Sequence, residues 1–297
     1  MTDTLSAPFG QLATAMITPF SDSGAVDHEA ARRLARYLTE QGTDTLVVAG
    51  TTGESPTLSD DEKIALFKTV VDAVSEKKTK VVAGTGTYDT RHSVEMTRRA
   101  AEVGVHGVLA VAPYYNKPSQ AGLVGHFTAI ADAGLPVVVY NIPGRTGVRI
   151  DVDSLVTLAG HPNISCVKDA VLDLEFTSET INRAPSLPVY SGQDTFTLPL
   201  LSVGAVGVVS VVSHLAGRSI KSMIQAAASG DWAEARRLHN DLLPLCQSCF
   251  LETNPAPVKG AMNAFWGPVG DVRPPLVAAS ENTLGAIEKA LGAVQGL

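Results

Sequence analysis

Residues Ile164–Glu175 read ISCVKDAVLDLE. The first four, Ile164 to Val167, form a short apolar run of the length and composition of a buried strand. A lysine, Lys168, closes that run, and the pattern then turns helical in DLEFTSETINRA. The same strand-then-helix unit recurs on both sides. LATAMIT precedes DHEAARRLARYLTEQG, which ends on Gly42 as a C-cap. TLVVAG precedes SDDEKIALFKTVVDAVSE, where Ser59 and Glu62 make a capping box. KVVAG, GVLAVAP, PVVVYN, LPVYSG and VGVVSVV are each followed by a helical stretch in turn. Strands alternating with helices imply a parallel sheet with the helices outside it. Eight such units within about 220 residues imply closure into an α/β (β/α)₈ TIM barrel. A doubly wound open sheet is the rival, but AGTGTYDT supplies two of the three dinucleotide-binding glycines and GTTGES lacks the Gly-Lys of a phosphate loop.

From Asp231 onward the β-branched runs stop, and DWAEARRLHNDLLPLCQSCFLE, APVKGAMNAFW and ENTLGAIEKALGAV are helical by period. The expected organisation is therefore a barrel over residues 1–230 and a C-terminal helical domain over residues 231–297.

Bulk properties exclude several classes. Of the 297 residues 45% are hydrophobic and 18% charged, with a net charge of −7, so nothing in the balance favours nucleic acid. The one dense basic run, EKKTK at Glu76–Lys80, reads as a solvated helix end. The N-terminal MTDTLSAPFG has neither a basic nor an apolar segment of a signal peptide. No apolar stretch reaches the roughly 18 residues of a membrane span. The expectation is a cytoplasmic protein without a membrane partner. Three cysteines fit a reducing compartment, and the Cys246/Cys249 C-x-x-C, in helix-like sequence with no second pair, reads as packing.

In a barrel the chemistry sits where strands end. Those ends carry Thr51 and Thr52 in GTTGES, Tyr114 and Tyr115 in PYYNKP, Tyr140 with Arg145 in YNIPGRTG, Lys168, Gly192 in SGQD, and Val209 in GVVSVV. No His–Asp/Glu metal spacing appears among them, so no metal is expected. A lysine facing an apolar interior is poorly solvated; its ammonium is disfavoured and a nucleophilic amine results. Its neighbour Asp169 should point to the opposite face of the strand. Taken alone, Lys168 reads equally as a lysine reaching out of the mouth or pairing with a distant carboxylate. Tyrosine hydroxyls bridged by a threonine could move the protons that Schiff-base chemistry requires.

GTTGESPTL, PYYNKPSQAGL, YNIPGRTG, VKDA and YSGQD, in this order, resemble the dihydrodipicolinate synthase (4-hydroxy-tetrahydrodipicolinate synthase) family, within the N-acetylneuraminate lyase superfamily of pyruvate aldolases. The resemblance runs from about Phe9 to the C-terminus. It implies that Lys168 forms a Schiff base with pyruvate and that Tyr140 exchanges protons through Thr51 with Tyr115, the last lent by a neighbouring subunit. It implies that Thr52, Gly192 and the backbone around Val209 hold pyruvate and that Arg145 receives the carboxylate of L-aspartate 4-semialdehyde. The implied product is 4-hydroxy-tetrahydrodipicolinate, on the route to lysine and diaminopimelate. No cofactor is implied, because the covalent lysine is the electron sink, and a homotetramer, a dimer of dimers, is. The alternative is a related pyruvate-dependent aldolase acting on a sugar acid. Departures from the family pattern are Gln193, where an acid is usual, and Gly144, where some relatives have serine. Lysine-sensitive relatives bind lysine through a glutamate, an asparagine and two histidines; the matching positions are His92, Tyr88, Asp60 and Lys63, so weak or absent inhibition by lysine is expected.

Overall fold

The computed structural model describes residues 7–295. Eight strands, β1 (Leu12–Ala15), β2 (Thr45–Val48), β3 (Lys80–Gly84), β4 (Gly107–Val111), β5 (Val137–Asn141), β6 (Ile164–Asp169), β7 (Val189–Ser191) and β8 (Gly207–Ser210), pair in parallel in sequence order. β8 returns to β1 through Ala13↔Val209, which closes the barrel. These strands are buried on both faces, as expected when helices cover the outside of a parallel sheet. The covering helices are α1 (His28–Glu40), α2 (Asp60–Val74), α3 (Thr90–Glu102), α4 (Gln120–Ala131), α5 (Pro143–Thr146), α6 (Val152–Leu158), α7 (Leu174–Arg183), α8 (Thr197–Ser202) and α9 (Ser213–Ala228). They follow the expected units, except that the loop carrying Arg145 is itself a single helical turn, α5. The Ser59–Glu62 capping box forms in full at the start of α2. Gly42 lies one residue beyond the α1 cap, at φ 97°, where a side chain would be strained.

Alternation along each strand sorts its residues. Ala13, Val47, Val82, Leu109, Val138, Tyr140, Cys166, Tyr190 and Val209 fill the interior with Phe9, whereas Val139 and Val167 join the cluster between barrel and helices. In β6 this places Lys168 on the interior face with Cys166 and turns Asp169 outward. The Asp169 carboxylate indeed accepts hydrogen bonds from Thr177 Oγ1 of α7 at 2.5 Å and from the Val171 amide at 2.9 Å. The strand pleat thus separates the carboxylate from the neighbouring amine.

Three further helices follow: α10 (Trp232–Ser248), α11 (Ala256–Phe265) and α12 (Glu281–Gln295). Leu238, Leu242, Leu245, Ile287 and Leu291 pack with Ile220 and Ile224 of α9 and reach Leu12 and Val208 of the barrel wall. Cys246 and Cys249 lie in this layer as free buried thiols. Burial pushes both thiols up, Cys249 to about 12, so they behave as small apolar groups rather than as nucleophiles. Among the described residues no helix is long and apolar enough to cross a membrane.

Candidate active site

A cavity of about 190 Å³ opens at the C-terminal end of the strands. Thr51 lines it from the loop after β2, Tyr140 from the end of β5, Arg145 from α5 and Tyr114 from the loop after β4. The β2 loop can sit this close because its neighbour in β3 is Gly84; a Cβ there would stand 2.2 Å from the Ala49 carbonyl oxygen.

Lys168 is not in this lining but beside it, only 5% exposed, with its amine 4.2 Å from the centroid of the Tyr140 ring. Among the described residues its amine makes no hydrogen bond and no ion pair within 4.0 Å. Burial is the main cause that lowers the amine to about 8, with the Arg145 charge adding to it and the Asp194 carboxylate opposing it. Asp194 is itself buried, bonded by the Ser210 hydroxyl and by the amides of Val211 at 2.9 Å and Val212 at 3.3 Å. Burial raises its carboxyl, and these donors and Lys168 pull it back. The carboxylate therefore steadies the amine from a distance without neutralising it by contact. Burial also raises the Tyr140 phenol far above its ordinary value, offset only in part by Arg145. Tyr140 thus keeps its proton at neutral pH and is a donor in waiting.

The other expected residues are placed differently. Thr52 is buried, and its hydroxyl accepts from Asn254 Nδ2 at 2.9 Å. Gly192 turns its amide to the Asp169 carbonyl at 2.7 Å, and a Cβ there would stand 2.9 Å from that of Ala170. Val209 lies deeper, in the interior layer beneath the mouth. Tyr115 stands apart: it is 94% exposed, at φ 71°, and does not line the cavity. Tyr114 takes the inner place and meets Tyr88 edge to face at 5.3 Å. Among the described residues the Tyr140 and Thr51 hydroxyls make no hydrogen bond to each other or to Tyr115, so no proton relay is closed within one chain.

Sequence reasoning missed the support behind the mouth. Glu54, the last residue of the β2 loop, pairs with Lys259 of α11 at 2.7 Å, both side chains 1% exposed. The signal was available: Lys259 stands alone among Val258, Ala261 and Met262, much as Lys168 closes its apolar strand. Replacing Glu54 by glutamine leaves the Lys259 ammonium buried without its counter-charge and is expected to remove about 3–5 kcal/mol of stability. Urea unfolding followed by circular dichroism reads the loss, and a change below about 1 kcal/mol would show the pair to behave as a solvated surface contact.

Similarity to known proteins now bears on this geometry. The model of the Dihydrodipicolinate synthetase family matches residues 8–294. The 4-hydroxy-tetrahydrodipicolinate synthase of Heliobacterium modesticaldum is 50% identical over 283 residues, 95% of this chain and 94% of its own. That of Acidothermus cellulolyticus is 49% identical over 288 residues, 97% of this chain and 93% of its own. The crystal structure of the Cyanidioschyzon merolae enzyme with lysine bound superposes at a TM-score of 0.96 with 41% identity, covering 98% of this chain and all of that one. A closed eight-stranded barrel, an interior lysine against a strand-end tyrosine, and likeness along nearly the whole length agree: the chain belongs to the dihydrodipicolinate synthetase family.

Proposed function

We propose that this chain is a lyase that condenses pyruvate with L-aspartate 4-semialdehyde to give 4-hydroxy-tetrahydrodipicolinate, the first committed step toward lysine and diaminopimelate. The observation that carries the reading is the desolvated Lys168 amine held against Tyr140, at the edge of a cavity that Arg145 also lines. In this reading the free amine attacks the pyruvate ketone. Tyr140 donates its proton to the carbinolamine oxygen, which leaves as water, and the phenolate then takes a methyl proton from the resulting iminium, which becomes an enamine and restores the phenol. The enamine carbon attacks the aldehyde. The amino group of the second substrate then adds to the imine carbon and displaces Lys168 as the ring closes. Thr52, Gly192 and the backbone at Val209 hold the pyruvate end. The division expected from sequence, a barrel over 1–230 and a helical extension over 231–297, is part of this reading, with the first and last few residues outside those described. Tyr115, exposed on its own chain, completes the site of a second copy, which fits a cytoplasmic homotetramer built as a dimer of dimers.

Arg145 separates this reading from an aldolase for sugar acids. A short aldehyde carrying a carboxylate is recognised by a fixed cation, whereas a polyol chain calls for hydroxyls and carboxylates. Arg145→Ala is expected to raise KM for aspartate semialdehyde at least about tenfold, the scale of one lost charge-assisted hydrogen bond. It also removes the positive charge that adds to burial in depressing the Lys168 amine, so the rise of activity with pH should move to higher pH. A coupled assay with pyruvate and either aspartate semialdehyde or a sugar aldehyde decides the substrate. Turnover of the sugar aldehyde alone would overturn the reading.

Free lysine at millimolar concentration is expected to inhibit weakly or not at all. At the positions where sensitive relatives place lysine ligands, His92 Nε2 already bonds Asp60 at 2.8 Å. Lys63 is buried beside them, its ammonium disfavoured chiefly by burial and partly restored by Asp60. The one acid is engaged, and a resident cation stands where a cationic ligand would come. Strong, saturable inhibition in a titration with L-lysine would contradict this.

A further inference from the structure

The β2 loop that carries Thr51 and Thr52 is bent at both ends into the left-handed region, by Ala49 at φ 50° and Glu54 at φ 56°, neither of them glycine. Residues with side chains hold such angles only where their surroundings over-determine them. Some restraint lies inside the loop and the barrel: the Glu54 amide bonds the Thr51 carbonyl at 3.1 Å, and Thr18 Oγ1 bonds the Gly53 carbonyl at 2.6 Å. Further restraint comes from far along the chain. Glu54 Oε1 accepts from Lys259 Nζ at 2.7 Å, and its Oε2 accepts from the Arg273 amide at 2.8 Å. Both oxygens of the carboxylate are thus bonded by the extension. Lys259 is fixed in turn, with its amine 3.9 Å from the centroid of the Phe20 ring. The Arg273 guanidinium binds the carbonyls of Gly24 and Thr57 and lies 4.3 Å from the same ring. Neither Glu54 nor Lys259 lines the cavity, so neither can touch a substrate there.

We infer that Glu54 and Lys259 are positioning residues for the condensation, an ion pair through which the extension fixes the β2 loop so that Thr51 stays at the cavity and Thr52 stays behind it. The inference rests on reading the mouth as the site of that reaction. An error of about 1 Å in the placement of a reacting or binding group costs on the order of 10²-fold in rate. Glu54→Gln is therefore expected to lower kcat by roughly 10- to 100-fold. Lys168, on β6, keeps its place in that variant, so borohydride should still fix pyruvate on it.

A merely structural pair would show the same loss through partial unfolding, so a second variant is needed. Glu54→Gln with Lys259→Met removes both charges, keeps the volumes and leaves an acceptor for the Arg273 amide. Its melting temperature should return close to that of the parent while kcat stays low. Recovery of kcat together with the melting temperature would overturn the inference, and so would full kcat in Glu54→Gln. Failure of the reading beneath it looks different: the unaltered protein would then neither fix pyruvate on Lys168 nor turn over aspartate semialdehyde, and the positioning role would fall with it.

Discussion

Lys168→Ala is expected to lower kcat/KM by at least about 10⁴-fold, the scale on which enzymes lose a covalent nucleophile. The side chain is 5% exposed, has no counter-charge in contact and lies against the Tyr140 ring. Its removal takes a poorly solvated cation out of an apolar interior, so the fold should tolerate it while the chemistry is lost. The same environment sets the pH dependence. With the amine lowered to about 8, roughly one Lys168 in ten is free at pH 7, against about one in three thousand for an ordinary lysine. The free amine is the nucleophile, so kcat/KM for pyruvate should rise with pH and level off above about 8. A flat profile between pH 6 and pH 9, or retained turnover in the alanine variant, would remove Lys168 from the mechanism.

Tyr140→Phe is expected to lower kcat by about two to four decades, the usual contribution of a positioned general acid. The substitution is a clean one. Tyr140 is buried at the end of β5 and its ring carries the contact with the Lys168 amine, so phenylalanine keeps that contact and deletes only the hydroxyl. Burial holds the phenol protonated through the neutral range, so the parent should show no loss of activity from phenol ionisation below about pH 10. Phenylalanine at position 140 should still allow pyruvate to be fixed on Lys168, more slowly, because a hydroxyl no longer assists departure of water. Stopped-flow measurement of adduct formation alongside steady-state turnover separates the two. Undiminished kcat would assign the proton transfer to another group.

The barrel was legible because every unit repeats one pattern, a short apolar run and then an amphipathic helix, and eight parallel strands of that kind close on themselves. Lys168 was legible for the same reason: a cation at the end of ISCV breaks a period that its neighbours obey, and the pleat tells which way it points. Other features are set by partners distant in sequence. The Glu54–Lys259 pair joins residues 205 positions apart: the lone Lys259 among apolar neighbours shows that a partner is needed, but nothing near it in sequence says that the partner is Glu54. Asp194 looks like an ordinary turn residue in SGQD until β8 brings the Val211 and Val212 amides and the Ser210 hydroxyl onto it. Tyr114 and Tyr115 are adjacent and chemically identical. Only the left-handed backbone at Tyr115 shows that one lines this cavity and the other leaves it.

The central claim is that Lys168 forms a covalent imine with pyruvate. Incubation with pyruvate and borohydride, followed by peptide mass mapping, tests it most directly. One reduced adduct per chain should appear on the peptide containing VKDA, at Lys168, and none in the Lys168→Ala variant. An adduct on another lysine, or none at all in a protein that turns over both substrates, would contradict the account.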